Sequence, residues 1–180
     1  VQNSDLIVHL ASEIRPSQSI DFLETIELTK NICASVRNTN KQIPIIYFSS
    51  QHCSQSSPPN SYARTKWECE KFLSVFSRET SNPLIILRPP GVFGKWSKPN
   101  YNSVVATFCH NIANKIPIEV HDPNTKVSLV YIDDLINQVI SYIEYPKENI
   151  IIPDILNIFE ICLHELADII MSFDRGRHDL

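Results

Sequence analysis

Three short, nearly unbroken apolar runs limit what this chain can fold into: Leu6–Leu10, Ile43–Phe48 and Leu84–Leu87. Each is strand-sized and none alternates polar with apolar, so each reads as a strand buried on both faces. Between them the spacing changes. Ile20, Leu23, Ile26, Ile32, Cys33 and Val36 place a helix over about Ser19–Arg37. A second helix begins near Ser61, a candidate N-cap. It turns Ala63, Trp67, Phe72 and Phe76 toward a core and stops before Asn82-Pro83. Strand, helix, strand, helix, strand is the grammar of a doubly wound parallel sheet, so the fold class is α/β.

After Gly94 the rhythm changes. A loop rich in Asn and Pro leads to a helix around Val104–Ala113, then to short strands near Ile118–Val120 and Val127–Ile132. A helix from about Asp133 to Tyr145, a strand near Ile155–Ile158 and a helix near Cys162–Phe173 follow. We therefore divide the chain into residues 1–98, the sheet domain, and residues 99–180, a small α+β lobe.

A net charge of -4 and a pI near 5.8 exclude a nucleic-acid surface, which needs clustered Lys and Arg. No apolar stretch is long enough to span a membrane, and no signal-peptide pattern is visible. The 5 cysteines are scattered and never form Cys-x-x-Cys, which points to free thiols in a reducing cytoplasm. Cys69 and Cys109 read as buried small hydrophobes. The 6 histidines show no metal-ligand spacing, so no metal is expected. The first residue is Val1, and an apolar run follows almost at once, which suggests a chain cut from something longer.

Tyr62 and Lys66 lie four apart on the second helix, so both project from one face. Alone, that spacing describes a solvated helix face equally well. Its place does not: the preceding strand ends in Ser49-Ser50, and ligands of open α/β sheets bind beyond the carboxyl ends of strands. A carbonyl that receives a hydride becomes an alkoxide and needs a proton. A phenol of pKa about 10 is a poor acid at neutral pH unless a cation stabilises its anion. Lys66 supplies that charge, and the Ser50 hydroxyl can hold the carbonyl oxygen. Ser50, Tyr62 and Lys66 form a workable proton-transfer set. His52 reads as an exposed loop residue, Glu68 and Glu70 as solvated helix surface, and Asp133-Asp134 as a favourable helix start.

These motifs, in order, resemble the extended short-chain dehydrogenase/reductase family, which works on nucleotide sugars with NAD(P). They are Asp5–Ala11, Phe48-Ser49-Ser50, Tyr62-x-x-x-Lys66, Arg88–Gly94 and Tyr131–Leu135. The run Gly94–Asn114 is similar to the capsular-polysaccharide and O-antigen branch that reduces a UDP-4-keto-6-deoxy-N-acetylhexosamine. The resemblance implies that residues 1–98 are the C-terminal part of a Rossmann-like NAD(P)-binding domain whose first strands are missing, and residues 99–180 a substrate-binding lobe. Tyr62 would be the general acid, with Lys66 lowering its pKa and holding the nicotinamide ribose. Ser50 would position the 4-keto oxygen. Leu10, Ala11 and Ser12 would line the cofactor, and Pro90 would lie near the nicotinamide. Gly91 stands where the family commonly has an asparagine that touches the sugar nucleotide. Lys95, Asn100, Tyr101 and Asn102 are candidates for UDP-sugar contacts, or equally for shaping a loop. The resemblance also implies NADP(H) ahead of NAD(H), and a homodimer, for the full-length parent.

Two departures matter. Related 4,6-dehydratases place an Asp-Glu pair after the hydroxyl residue; here Gln51 and His52 follow Ser50, so dehydration is not expected. The glycine-rich turn that cradles a pyrophosphate is also missing, because glycine occurs only at positions 91, 94 and 176. Tight cofactor binding by this chain alone is therefore not expected. Two readings stand: the catalytic part of a longer reductase, or an inactive remnant that binds UDP-sugar or a protein partner. A UDP-sugar 4-epimerase relative is a further alternative.

Overall fold

The computed structural model describes residues 1, 3–12, 21–54, 60–145 and 150–178, without the side chains of residues 21, 22, 177 and 178. The chain divides into two compact units, one of residues 1–89 with 139–155, the other of residues 90–138 with 156–180.

The first unit is built on a parallel sheet. Strands β1 (Ile7–His9), β2 (Ile45–Phe48), β3 (Leu84–Leu87) and β6 (Ile150–Ile151) lie side by side in that order. Its register pairs Ile45 with Ile7 on one side and with Leu84 on the other. The unbroken apolar runs are explained by cover on both faces. Ile45, Tyr47, Leu84 and Ile86 pack with Cys33, Val36, Cys69, Leu73 and Phe76 of helices α1 (Asp21–Arg37) and α2 (Ser61–Thr80). Ile46, Ile85 and Leu87 face the opposite way, against Val139 and Tyr142 of helix α4 (Ile132–Glu144) and against Ile151 and Ile155. Each such aliphatic side chain, fully buried, contributes about 1.5–3 kcal/mol.

Strand β1 differs from its expectation. His9 is buried, but Val8 is 37% and Leu10 61% exposed, because β1 lies at the sheet edge. The inner stripe of α1 is Thr25, Thr29, Cys33 and Val36, while Leu23 is exposed; the Thr29 hydroxyl donates to Thr25 O (2.9 Å) and so stays satisfied inside. Helix α2 is capped one residue before the expected cap. Asn60 is the N-cap, its side chain accepting from Ala63 N–H at 2.8 Å, and Ser81 ends the helix in the left-handed region at φ 57. Phe72 is exposed and Trp67 half-buried under Lys71, whose Nζ is 3.9 Å from the Trp67 ring. Beyond the helix, buried Asn82 ties the unit together, its Oδ1 accepting from Ile43 N–H at 2.6 Å.

The second unit has a smaller sheet, β4 (Gly91–Phe93), β5 (Lys126–Tyr131) and β7 (Ile158–Cys162), with β5 central, parallel to β4 and antiparallel to β7. Helices α3 (Val104–Ala113) and α5 (Leu163–His178) cover it through Phe108, Leu166, Ala167 and Ile170. The strand expected at Ile118–Val120 is absent, although both side chains pack on this core. The strand expected at Ile155–Ile158 begins only at Ile158. Gly94 has φ 135, and a Cβ there would stand 2.5 Å from Ile132 Cγ2, so the turn after β4 needs glycine.

Candidate active site

The carboxyl end of β2 and the first turns of α2 bring the proton-transfer candidates into one region of the first unit. Lys66 is 3% exposed, and its Nζ donates to Phe48 O at 2.7 Å, the last carbonyl of β2. The same Nζ lies 5.0 Å from the Tyr47 ring centre and 5.9 Å from that of Tyr62. Ser50 is 7% exposed, and its Oγ accepts from His52 N–H at 3.3 Å. Cys53, in the 3-10 turn Gln51–Ser54, joins strand end to helix: its N–H donates to Ser50 O (2.9 Å) and its thiol to Ala63 O (3.4 Å). Tyr62, beside Ala63, is half-buried.

Burial dominates the charges here. It lowers Lys66 to about 8, against the opposing pull of Cys69, Cys53 and Glu70. It also raises the Tyr62 phenol, with Cys53 as a second cause. The expected lowering of Tyr62 by Lys66 is not present in this arrangement, because the ammonium is turned onto Phe48 O. His9 is 2% exposed and lowered to about 4, by burial first and by Lys66 second; its Nε2 is 2.9 Å from Thr29 Oγ1. Tyr47 Oη and Ser49 Oγ are buried without hydrogen-bond partners among the described residues. The thiols of Cys69 and Cys53 neighbour them outside hydrogen-bond geometry.

One expectation is reversed. Glu70 is not solvated surface: it is 4% exposed and takes Arg88 at both oxygens, Nε at 2.9 Å and Nη2 at 2.6 Å. Ala63, Lys66, Glu70, Leu73 and Ser77 are all buried on α2, so its inner face carries two charges. The signal was in the spacing, since Glu70 lies four residues after Lys66 and shares its face. Glu68 is partly exposed and pairs with Lys71. His52 is exposed, Cys69 buried, and Cys109 exposed rather than buried.

The remaining candidates fall elsewhere. Leu10 and Ala11 are exposed and Ser12 half-buried just after β1. Pro90 is buried in the second unit. There Lys95, Tyr101 and Asn102 line a cavity of about 450 Å³ together with Phe93, Trp96 and Lys98. Lys95 pairs with Asp133 at 2.9 Å. Lys98 Nζ stands 5.6 Å from the Tyr101 ring centre. Asn100 is outside that lining and forms a turn at φ 56, its N–H donating to Thr107 Oγ1 at 2.9 Å. Gly91 opens β4, where a Cβ would stand 3.0 Å from Leu129 Cδ2 and 3.3 Å from Ser128 O, so a side chain there needs its neighbours to give.

Fold and strand-end geometry define a doubly wound α/β protein of the Rossmann-like class. The relationship is closer than class: the chain belongs to the NAD dependent epimerase/dehydratase family, the extended short-chain dehydrogenase/reductases, whose family pattern matches residues 1–158. It is 36% identical, over 181 aligned residues, to the UDP-2-acetamido-2,6-beta-L-arabino-hexul-4-ose reductase of Pseudomonas aeruginosa. That alignment covers 100% of this chain and 48% of the relative. It also matches the capsular polysaccharide assembling protein CapF from Staphylococcus aureus, with TM-score 0.82 and 32% identity, over 99% of this chain and 47% of that one. The UDP-N-acetylglucosamine 4-epimerase from Bacillus cereus shares the fold, with TM-score 0.80 and 21% identity, over 96% of this chain and 63% of that chain. The chain thus spans about half the length of the reductase and of CapF.

The family implies a nicotinamide cofactor. Among the described residues, the donors suit its ribose end: Lys66 has ammonium protons beyond the one on Phe48 O, and the Tyr62 phenol is nearby. No glycine opens a helix after a strand in the first unit, so a pyrophosphate cradle is not among them. No helix of the described residues is long and apolar enough to cross a membrane.

Proposed function

We propose that this chain is the acid–base and substrate portion of an NADP(H)-dependent reductase. Its substrate would be the 4-keto group of a UDP-6-deoxy-N-acetylhexosamine, in capsule or O-antigen sugar synthesis. The observation that carries this reading is Lys66, an almost fully buried cation beside Tyr62 and fixed to Phe48 O at the end of β2, two residues before Ser50. Keeping a lysine there costs stability, which a structural role would not require. The relatives at 36% and 32% identity support the substrate class.

The nicotinamide, when bound, supplies the hydride. The chain's own residues do the rest. Ser50 Oγ donates to the carbonyl oxygen and polarises it. As that oxygen gains negative charge, Tyr62 Oη gives it a proton. Lys66 then stabilises the phenolate until solvent reprotonates it. The product is an alcohol, and the phenol is restored. Lys95, Tyr101 and Asn102, which line a cavity of the second unit, are the candidates for UDP-sugar contacts.

In the full-length enzyme, Tyr62→Phe is expected to lower kcat by about 10²–10⁴-fold with little change in KM. Oxidation of NADPH by the 4-keto sugar provides the assay. A variant with wild-type turnover removes Tyr62 from the mechanism. A second reading, a protein that binds UDP-sugar without a cofactor, is separated by an NADPH fluorescence titration of the full-length protein: a flat titration with UDP-sugar binding retained would select it.

A further inference from the structure

The Glu70–Arg88 pair sits where it can govern the proton-transfer set without touching the reacting atoms. Arg88 follows β3 directly, between two carbonyls that hold the Ser50 segment. Leu87 O accepts from Ser49 N–H at 2.7 Å, and Pro89 O accepts from Gln51 N–H at 3.1 Å. The residue between those carbonyls is clamped to α2 through both oxygens of Glu70. One turn earlier on the same buried stripe, Lys66 holds Phe48 O. Strand end, β3 exit and helix therefore form a closed circuit around Ser50.

The groups facing Lys66 are Tyr62, Cys69 and Glu70 from its own helix, Cys53 from the 3-10 turn, Tyr47 from β2 and His9 from β1. Only Glu70 among them is a carboxylate. We propose that Glu70 and Arg88 are a positioning pair for Ser50, Tyr62 and Lys66. Arg88 fixes the backbone to which Ser50 is strapped, and Glu70, one turn from Lys66 on the same buried face, is the carboxylate that favours its ammonium form. The proposal rests on the proton-transfer reading for its functional meaning, but its test does not.

The test measures the Lys66 pKa by side-chain NMR in the wild type, Glu70→Gln and Arg88→Met. Glu70→Gln leaves a lone guanidinium and is expected to lower Lys66 by about one pH unit; Arg88→Met frees the carboxylate and is expected to raise it. Arg88→Met is also expected to speed amide exchange at Ser49 and Gln51 by about tenfold. A pair that merely holds the fold would admit water in both variants and move Lys66 upward in both. That outcome, or an unmoved Lys66 in Glu70→Gln, overturns the proposal. Should a single variant unfold, E70Q combined with R88M removes both charges and orphans neither. A lower Lys66 pKa in that double variant supports the proposal, and an unchanged or higher one overturns it. Failure of Tyr62→Phe to lose activity would instead strike only the proton-transfer reading.

Discussion

His9 lies in the same buried layer as Lys66 and Tyr47, with ring centres of His9 and Tyr47 5.1 Å apart. Its imidazole is kept neutral because burial and the Lys66 ammonium both oppose a second positive charge. With the folded pKa lowered from 6.5 to about 4, the unfolded chain binds more protons across that window. The stability His9 contributes is therefore present above pH 6.5 and is lost as pH falls through about 4. The shift corresponds to about 3 kcal/mol. His9→Gln keeps a polar partner for Thr29 and removes the titration. Urea unfolding from pH 7 to 4 should show the wild type losing about 3 kcal/mol more than the variant; parallel curves would refute this. None of this was legible in the sequence, where His9 is one polar letter inside an apolar strand. Tyr62, Lys66 and Ser50 were legible because strand order and helix periodicity suffice to bring them near one another. Glu70 was misread for a physical reason: a carboxylate is normally solvated, and its burial depends on Arg88, eighteen positions away in sequence and satisfied only after β3 docks.

At the scale of elements, helix α2 positions the most chemistry, and its start decides where Tyr62 points. Asn60 Oδ1 accepts from Ala63 N–H at 2.8 Å, and Asn60 O accepts from Arg64 N–H at 3.0 Å. Asn60→Ala leaves the Ala63 donor without its cap acceptor at a cost of about 1 kcal/mol, while Asn60→Ser should recover most of it. Thermal unfolding of the two variants checks this; equal loss in both would mean the side-chain bond does not stabilise the helix start. Asn60 and Ser61 are both good caps, so composition alone gave no reason to choose between them. Helices α3 and α4 were placed within a residue because their apolar spacing is long and regular. The short strands β4 and β6 were not seen, since three and two residues carry no periodicity. Ile118 and Val120 mislead in the other direction: they serve the second core from an irregular segment.

At the scale of the whole molecule, the four-stranded sheet of the first unit ends in two margins among the described residues. β6 is a two-residue strand at one margin, too short to template much pairing, but β1 presents an apolar edge. β1 pairs with β2 on one side only among the described residues, and Val8 and Leu10 are exposed beside that edge. A parallel strand with an unpaired backbone and apolar side chains recruits another strand. The chain by itself is therefore expected to self-associate in a concentration-dependent way through β1. Val8→Lys places a charge at the edge without touching a packed core, and should raise the onset concentration by about tenfold or more. Leu23→Lys is the control, because Leu23 is 60% exposed and lies on helix α1 rather than on the sheet. Light scattering across a dilution series separates the cases. If Leu23→Lys suppresses association as strongly as Val8→Lys, general surface hydrophobicity drives it; if only Val8→Lys does, the open edge of β1 is the point of contact.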